Sequence, residues 1–525
     1  MKKRLLPVAV IAVLALCLAA CGSTTTAPPT SSGVPTGGTM HVLLVGTQWP
    51  GLDAATDTQD AADADLMNAI YGQLFELAPG QKVVPDEASG FRFSDNFQTV
   101  TITLRKGLVF SNGDPVTASD VAWSINRDLL PKYGNIGDVN FPVKGSLTSS
   151  GRYEVIAHLT RPDSAFVDAF LGEAPNWTVD EAALNSIGEN AYTQMPIGAG
   201  PFKVVSNAAS AELVLKANQK YWQAGYPKLG GLTFTAVGSD QSAASALEAG
   251  TDQIAELIST IPLLKALPSE GLIVTTPPST FNEFITLNEA NAPFNNILAR
   301  EAVEYATNTS ALLSSLYYGA YLPAENQSAP GQEFYQQKNP YYRAYNLAEA
   351  KKLVSEIPGG ITVNLSTTTN TAYWVNEVQA ISTMWQAAGI KVHVEDNSLQ
   401  QMLGITFDGS WQAIDSNWGG NINPSITTPQ FFESTAVFSG VYDPSLDALF
   451  NKSAATSSTS ARAKIFAQIN NVENQQADAV FMYSKTFFDV ATKSVIDNGG
   501  LGNDLGTIRW EYLALQSKHE NAGPS

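Results

Sequence analysis

Within the stretch Thr99 to Leu130 the hydrophobic period changes once, and that change restricts the fold more than any other feature of the chain. In TVTITLR, Thr99 to Arg105, the apolar residues Val100, Ile102 and Leu104 alternate with threonine and arginine, the pattern of a half-buried strand. SNGDP, Ser111 to Pro115, is turn chemistry. Thr117 followed by Asp120 then reads as a capping box opening a helix over VAWSINRDLL. The same alternation returns later. Asn346 with Glu349 caps a helix carrying Leu347, Val354 and Ile357. From Tyr373 to Gly389 a helical stripe runs through Trp374, Val378, Ile381, Trp385 and Ala388, with Gly389 placed to end it. Ile390, Val392 and Val394 then alternate with polar residues as a strand. The class is mixed α/β, and no short-period repeat is present.

With 525 residues, of which 44% are hydrophobic and 10% aromatic, the chain can bury two or three domain cores. A net charge of −19, with no basic cluster after the first four residues, excludes a nucleic-acid partner, whose phosphates need Lys and Arg patches. A soluble, acidic protein, monomeric or docking transiently, is expected.

Lys2, Lys3 and Arg4 precede an apolar run from Leu5 to Ala20, the arrangement of a secretory signal peptide, residues 1–20. The run ends in Leu18-Ala19-Ala20-Cys21-Gly22, which resembles a bacterial lipobox, so Cys21 is expected to carry a lipid and to begin the mature chain. The alternative is a plain signal with a chance cysteine. Cys17 leaves with the signal and Cys21 is the only other cysteine, which leaves neither a disulfide nor a catalytic thiol. Residues 21–38, rich in Ser, Thr, Pro and Gly, read as a flexible tether. Later in the chain nothing approaches about 18 consecutive apolar residues, so the expected membrane contact is the lipid anchor alone.

SNWGGNINPSITTPQFF, Ser416 to Phe432, combines a tryptophan, amides, glycines and prolines with no charged side chain. It reads as a turn-rich loop rather than a helix or strand, with the chemistry of a small-molecule site. The acidic run Asp53, Asp57, Asp60, Asp63 and Asp65 reads either as an anionic rim or as an acidic helix N-terminus ahead of Leu66 and Ile70. His41, His158, His393 and His519 lie far apart without ligand spacing, so no metal site and no cofactor are expected. Trp374 and Trp385 fit a helix core, and Trp123 and Trp222 read as packing residues. Gly-x-Ser-x-Gly, His-Glu-x-x-His and P-loop patterns are absent, and Pro201 spoils Gly198-Ala199-Gly200 as a dinucleotide fingerprint, so an enzyme is not expected.

TITLRKGLVFSNGDPVTASDVAWSINR, Thr101 to Arg127, resembles the signature of the extracytoplasmic solute-binding proteins of ABC importers, family 5, the oligopeptide/dipeptide/nickel-binding class. Four more blocks follow in the family's order: PIGAGPFKV (Pro196 to Val204), NQKYWQAGYPKLGGLTF (Asn218 to Phe234), LNEANAPFNNILAREAVEYATN (Leu287 to Asn308), and the paired elements Tyr345 to Val354 and Trp385 to Val394. The resemblance covers nearly the whole mature body. It implies a two-lobed periplasmic-binding-protein fold of the cluster C type, with an extra domain and a ligand cleft between lobes. Domain I would comprise 39–75, 197–276 and 490–525; domain II, 76–196; domain III, 277–489. Crossings near Phe281 and Asp489 would form the hinge. The implied partners are a small-molecule or peptide ligand and a membrane permease, and the implied place is the outer face of the bacterial cell membrane.

The resemblance also nominates ligand contacts: Trp49 after the first strand, Asn282 at the first crossing, Trp418 and Gly419 in the loop, and Tyr483 beside the hinge. Peptide-binding members carry an Asp in the equivalent loop, paired with the peptide's α-ammonium. Asn421 stands there in this chain. An amide forfeits a charge-assisted bond of about 1.5–3 kcal/mol to an ammonium, which favours a saccharide or other polar metabolite unless a carboxylate comes from elsewhere. A non-transport sensory lipoprotein and a secreted hydrolase are the remaining alternatives.

Overall fold

The segment in which the period changes forms the centre of one sheet. Thr99–Leu104 lies second in a four-stranded antiparallel sheet ordered Ala88–Ser94, Thr99–Leu104, Glu154–His158, Thr148–Ser150. The helix Ala118–Asp128 starts with the expected capping box: the Thr117 side chain accepts from the Asp120 amide while the Asp120 carboxylate accepts from the Thr117 amide. Its face of Val121, Ala122 and Ile125 packs on Val100, Ile102 and Leu104 of the sheet. Full burial of each larger side chain is worth about 1.5–3 kcal/mol.

The computed structural model describes residues 37–516 except 47–48, 50, 57–60, 79–81, 131–132, 134–144, 169–176, 257, 370–371, 419–421 and 503–506. The side chains of 56, 61–63, 78, 82, 372–373, 399, 417–418 and 426–427 are likewise outside the description. The signal peptide, the tether and the lipidation residue Cys21 therefore lie outside the described residues, as do Gly419 and Asn421.

A seven-stranded mixed sheet has the order Phe202–Ala208, Glu212–Ala217, Gly231–Val237, Thr39–Val45, Ile254–Glu256, Asp489–Ala491, Ile273–Thr275. Thr39–Val45 runs parallel to both of its neighbours. The first lobe joins this sheet to the four-stranded one through Ile197, which touches both cores. Gly198 and Gly200 follow it, pressed on the end of the helix Ala61–Ile70. A Cβ on Gly198 would meet the Ile70 carbonyl oxygen at 2.1 Å, which accounts for glycine in the block PIGAG.

The second lobe is built on a six-stranded sheet ordered Leu322–Pro323, Ala479–Lys485, Phe281–Leu287, Ala413–Trp418, Thr362–Thr368, Lys391–Asn397. One face packs on the helix Ala372–Ala387 through Val378, Ile381 and Trp385, in a core that continues to Leu43, Leu264 and Val490 of the first lobe. Phe284 and Phe481 on the other face pack against Phe431, Phe432, Leu446, Phe450 and Phe466 of three further helices.

The chain passes between lobes from Ile273–Thr275 to Phe281–Leu287, and again from Ala479–Lys485 to Asp489–Ala491. The crossings lie side by side. Thr486 Oγ1 donates to the Pro277 carbonyl at 2.7 Å, and Phe281 meets Phe487 edge-on with centroids 4.8 Å apart.

One sequence expectation is corrected. Ser416 to Phe432 is not a continuous turn-rich loop: Ala413–Trp418 is a strand and Pro424–Phe432 a helix. Asn423 caps the helix by accepting from the Ser425 amide, and Pro424 stands at its start, where a missing N–H costs nothing. Pro429 stands inside this helix and supplies no amide donor there.

Candidate ligand-binding site

In open α/β sheets, ligands bind beyond the carboxyl ends of parallel strands. In the first lobe the parallel strands end at Val45, Val237 and Glu256; in the second they end at Thr368, Asn397 and Trp418. The crossings begin at that same end of the second sheet, because Phe281 is the register partner of Lys485 and Asn282 that of Trp418.

Three carboxylates gather near this end of the second lobe. Glu283 and Asp415 come from adjacent strands, and Glu377 from the helix that covers them. Glu283 and Glu377 are buried, whereas Asp415 keeps partial exposure. The cation beside them is Lys485, whose Nζ lies 4.0 Å from Glu283 Oε1. Burial pushes the Asp415 carboxyl well above the usual carboxylate range; the charges of Glu377 and Glu283 push it further, and Thr367 and Lys485 oppose them. Burial also raises Glu377, against hydrogen bonds from Tyr317 and Tyr483. Tyr483 is stacked on Tyr321 with centroids 5.4 Å apart.

The first lobe places Asp65, Glu256 and Asp489, all buried, near its own strand ends. Burial and the neighbouring Glu256 push Asp65 up strongly, while burial brings Asp489 to about 7. Asp65 also accepts a 2.5 Å bond from the Ile508 amide.

Among the nominated residues, the structure brings Asn282 and Trp418 together across the ladder. Asn282 is buried; its Nδ2 donates to the Asn326 carbonyl at 3.2 Å and its Oδ1 accepts from Ser484 Oγ at 2.5 Å. Tyr483 is the partner of Glu283, one residue along, so it points from the opposite face of the sheet. Its hydroxyl donates to Glu377 Oε2 at 2.6 Å and lies 3.0 Å from the Tyr317 hydroxyl. Trp49 lies in the first lobe, 1% exposed, with its indole N–H donating to Asn207 Oδ1 at 3.1 Å. From the acidic run, Asp53 forms a buried bidentate pair with Arg127 at 2.6 and 2.5 Å, and Asp65 belongs to the helix Ala61–Ile70. The rim reading therefore does not describe these two.

Glu283, Glu377 and Asp415 were not among the sequence candidates. A signal was present for two of them: Glu283 and Asp415 are each the only ionisable residue in an otherwise uncharged strand, FNEFITL and AIDSNW. Among the described residues no three His, Cys, Asp or Glu converge as metal ligands, and no helix is long and apolar enough to cross a membrane.

Two α/β lobes joined by paired crossings, with strand ends converging where the chain passes between them, define a two-lobed solute-binding protein. Residues 82–439 match the family described as Bacterial extracellular solute-binding proteins, family 5 Middle. The glutathione-binding protein GsiB of Salmonella paratyphi A is 28% identical over 365 residues, covering 67% of this chain and 68% of that one. Among solved structures, the oligopeptide-binding protein AppA of Bacillus subtilis, in complex with a nonapeptide, aligns with a TM-score of 0.76 at 19% identity over 92% of this chain and all (100%) of the other. The binding protein AgaA in complex with agropinic acid, from A. tumefacien R10, aligns with a TM-score of 0.77 at 21% identity over 92% and 99%. The chain belongs to family 5 of the bacterial extracellular solute-binding proteins; it is a substrate-binding component of an ABC importer and acts outside the cytoplasm.

Proposed function

We propose that this protein captures a peptide-like solute with a free ammonium between its two lobes and hands it to a membrane permease, with no catalytic step. The observation that carries this reading is the surplus of carboxylate near the cleft end of the second lobe, where Glu283, Glu377 and Asp415 face Lys485. A buried surplus of negative charge is costly unless it is protonated or paired, and a ligand ammonium is a cation that such a cluster would favour. Asp415 is the partly exposed member and the contact residue in this reading. The glutathione-binding and peptide-binding relatives support a peptide-like solute.

The domain partition is 39–75 with 197–276 and 490–525, then 76–196, then 277–489. The strands of the seven-, four- and six-stranded sheets, which fall almost wholly within these respective ranges, support it. The protein works as a monomer held to the membrane through a lipid on Cys21.

Native mass spectrometry of the protein purified from its own host identifies the solute, and calorimetry then compares that solute with its N-acetylated form. We expect an amine-bearing molecule, acetylation that weakens binding by roughly tenfold or more, and a similar loss in Asp415→Asn. A neutral saccharide released from the protein, with Asp415→Asn binding it as tightly as wild type, refutes the ammonium reading.

A further inference from the structure

Away from the crossings, the two lobes also meet through a polar contact made by other elements. On the first-lobe side it involves residues 161–168, which follow the four-stranded sheet and are anchored in its core by Phe166 and Val167. On the second-lobe side are the helices Pro424–Phe432, Pro444–Ala454 and Thr459–Gln476. Ser164 donates through its amide to the Ala454 carbonyl at 2.8 Å and through its hydroxyl to the Thr456 carbonyl at 2.8 Å. Arg161 pairs with Glu433 at 2.5 Å.

Asn423 occupies the middle of this contact and is 2% exposed. Its Nδ2 donates across the interface to Asp168 Oδ2 at 2.9 Å and, within its own lobe, to Glu333 Oε2 at 3.1 Å. Its Oδ1 accepts from Arg462 Nη2 at 2.7 Å and from the Ser425 amide at 3.0 Å. All four hydrogen-bonding positions of the amide are thus used, and the two ends cannot be exchanged. Arg462, 5% exposed, also donates through Nη2 to Ser425 Oγ at 2.5 Å and is a positive charge set against Asp163, Asp168 and Glu333.

We propose that Asn423 is the keystone of an interlobe clasp: held by Arg462, it presents an amide donor to Asp168 and so favours the closed arrangement of the lobes independently of solute. This goes beyond solute capture, because it places part of the closure energy in protein–protein contacts that any solute would share. An aspartate at 423 would retain the helix cap and the Arg462 bond but, at pH 8, above the value of about 7 to which burial pushes Asp168, would set a carboxylate against Asp168 and Glu333 and turn the donor contacts repulsive. The effect is local and sign-specific, which separates it from general destabilisation.

Small-angle X-ray scattering of the purified chain at pH 8 without added solute, paired with thermal unfolding, tests this. Wild type is expected to scatter as the closed structure. Asn423→Asp is expected to lower the closed-to-open ratio by roughly tenfold to a hundredfold and to increase the radius of gyration. Asp168→Asn, added to Asn423→Asp, restores a donor facing an acceptor and is expected to recover the compact form. Any of three results would overturn the proposal: an already open wild type, an Asn423→Asp protein as compact as wild type, or an expanded Asn423→Asp protein that Asp168→Asn does not rescue. Because no solute is present, these outcomes do not depend on the ammonium-binding reading of the cleft.

Discussion

Tyr483→Phe separates a ligand-contact role for this residue from a structural one. The hydroxyl is buried and donates to Glu377 Oε2 at 2.6 Å, beside the Tyr317 hydroxyl at 3.0 Å. A phenylalanine keeps the stack on Tyr321, so the apolar contact area is nearly unchanged. What is lost is one hydrogen bond to a carboxylate in a dry site, about 1.5–3 kcal/mol when that carboxylate is charged. The pH dependence supplies a second check. Burial raises the Glu377 pKa, so the neutral form is favoured in the fold, and stability falls as pH rises through the raised value. Tyr483 is one of the donors that restrain this rise. Removing it shifts Glu377 further up and deepens the loss at high pH, so the deficit of the variant grows as pH rises through the raised value. Urea unfolding should therefore show a deficit of up to about 2 kcal/mol that is larger at pH 8 than at pH 5, with solute affinity changed less than about threefold. In an Glu377→Gln background the pH dependence of the deficit should vanish. Unchanged stability at pH 8 together with at least tenfold weaker solute binding would show that the hydroxyl serves the ligand and that this reasoning is wrong.

Arg127→Met removes the buried partner of Asp53 and the bond to Glu189, so denaturant unfolding should show a loss of about 3–5 kcal/mol; a neutral result would show that the buried pair adds nothing to stability. Glu473 is buried with burial as the only influence on its carboxyl, which is pushed to about 8; between pH 5 and 8 wild type should lose several kcal/mol more than Glu473→Gln, roughly 4 kcal/mol, and equal slopes of stability against pH would refute this. Gly200→Ala should lower the thermal midpoint sharply, since a Cβ there meets the Ile70 carbonyl carbon at 2.6 Å, and a midpoint within a degree or so of wild type would show that the backbone can yield.

What was legible in the sequence was local or repeated. The capping box at Thr117 and the Asn346 cap need only residues within one helical turn, so the chain itself reports them. The strand from Lys391 and the helix before it follow from period alone. The helix Pro424–Phe432 was missed because asparagines, glycines and two prolines outweighed one informative pair, Asn423-Pro424, a cap followed by a first-turn proline. Tyr483 and Asn282 are separated by the sheet itself: adjacent registers send them to opposite faces, and that parity depends on pairings between distant strands. The meeting of Glu283, Glu377 and Asp415 is of the same kind, since their relation exists only once three elements are packed.

The lack of charge from Ser416 to Phe432 has a physical reason at one of its three asparagines, Asn423. A carboxylate only accepts hydrogen bonds, whereas the position of residue 423 requires two acceptances, from Arg462 and the Ser425 amide, and two donations, to Asp168 and Glu333. Only an amide of this size meets all four. Anionic chemistry in this part of the lobe is instead carried by the sheet, at Glu283 and Asp415, and by a helix packed on it, at Glu377. Side chains on paired strands hold their positions more rigidly than those on a connecting segment, which suits a charge that, in the proposed function, meets a ligand ammonium in one geometry. The two halves of the arrangement thus serve different ends: neutral amide chemistry where the lobes grip each other, and carboxylates where the strands end at the cleft.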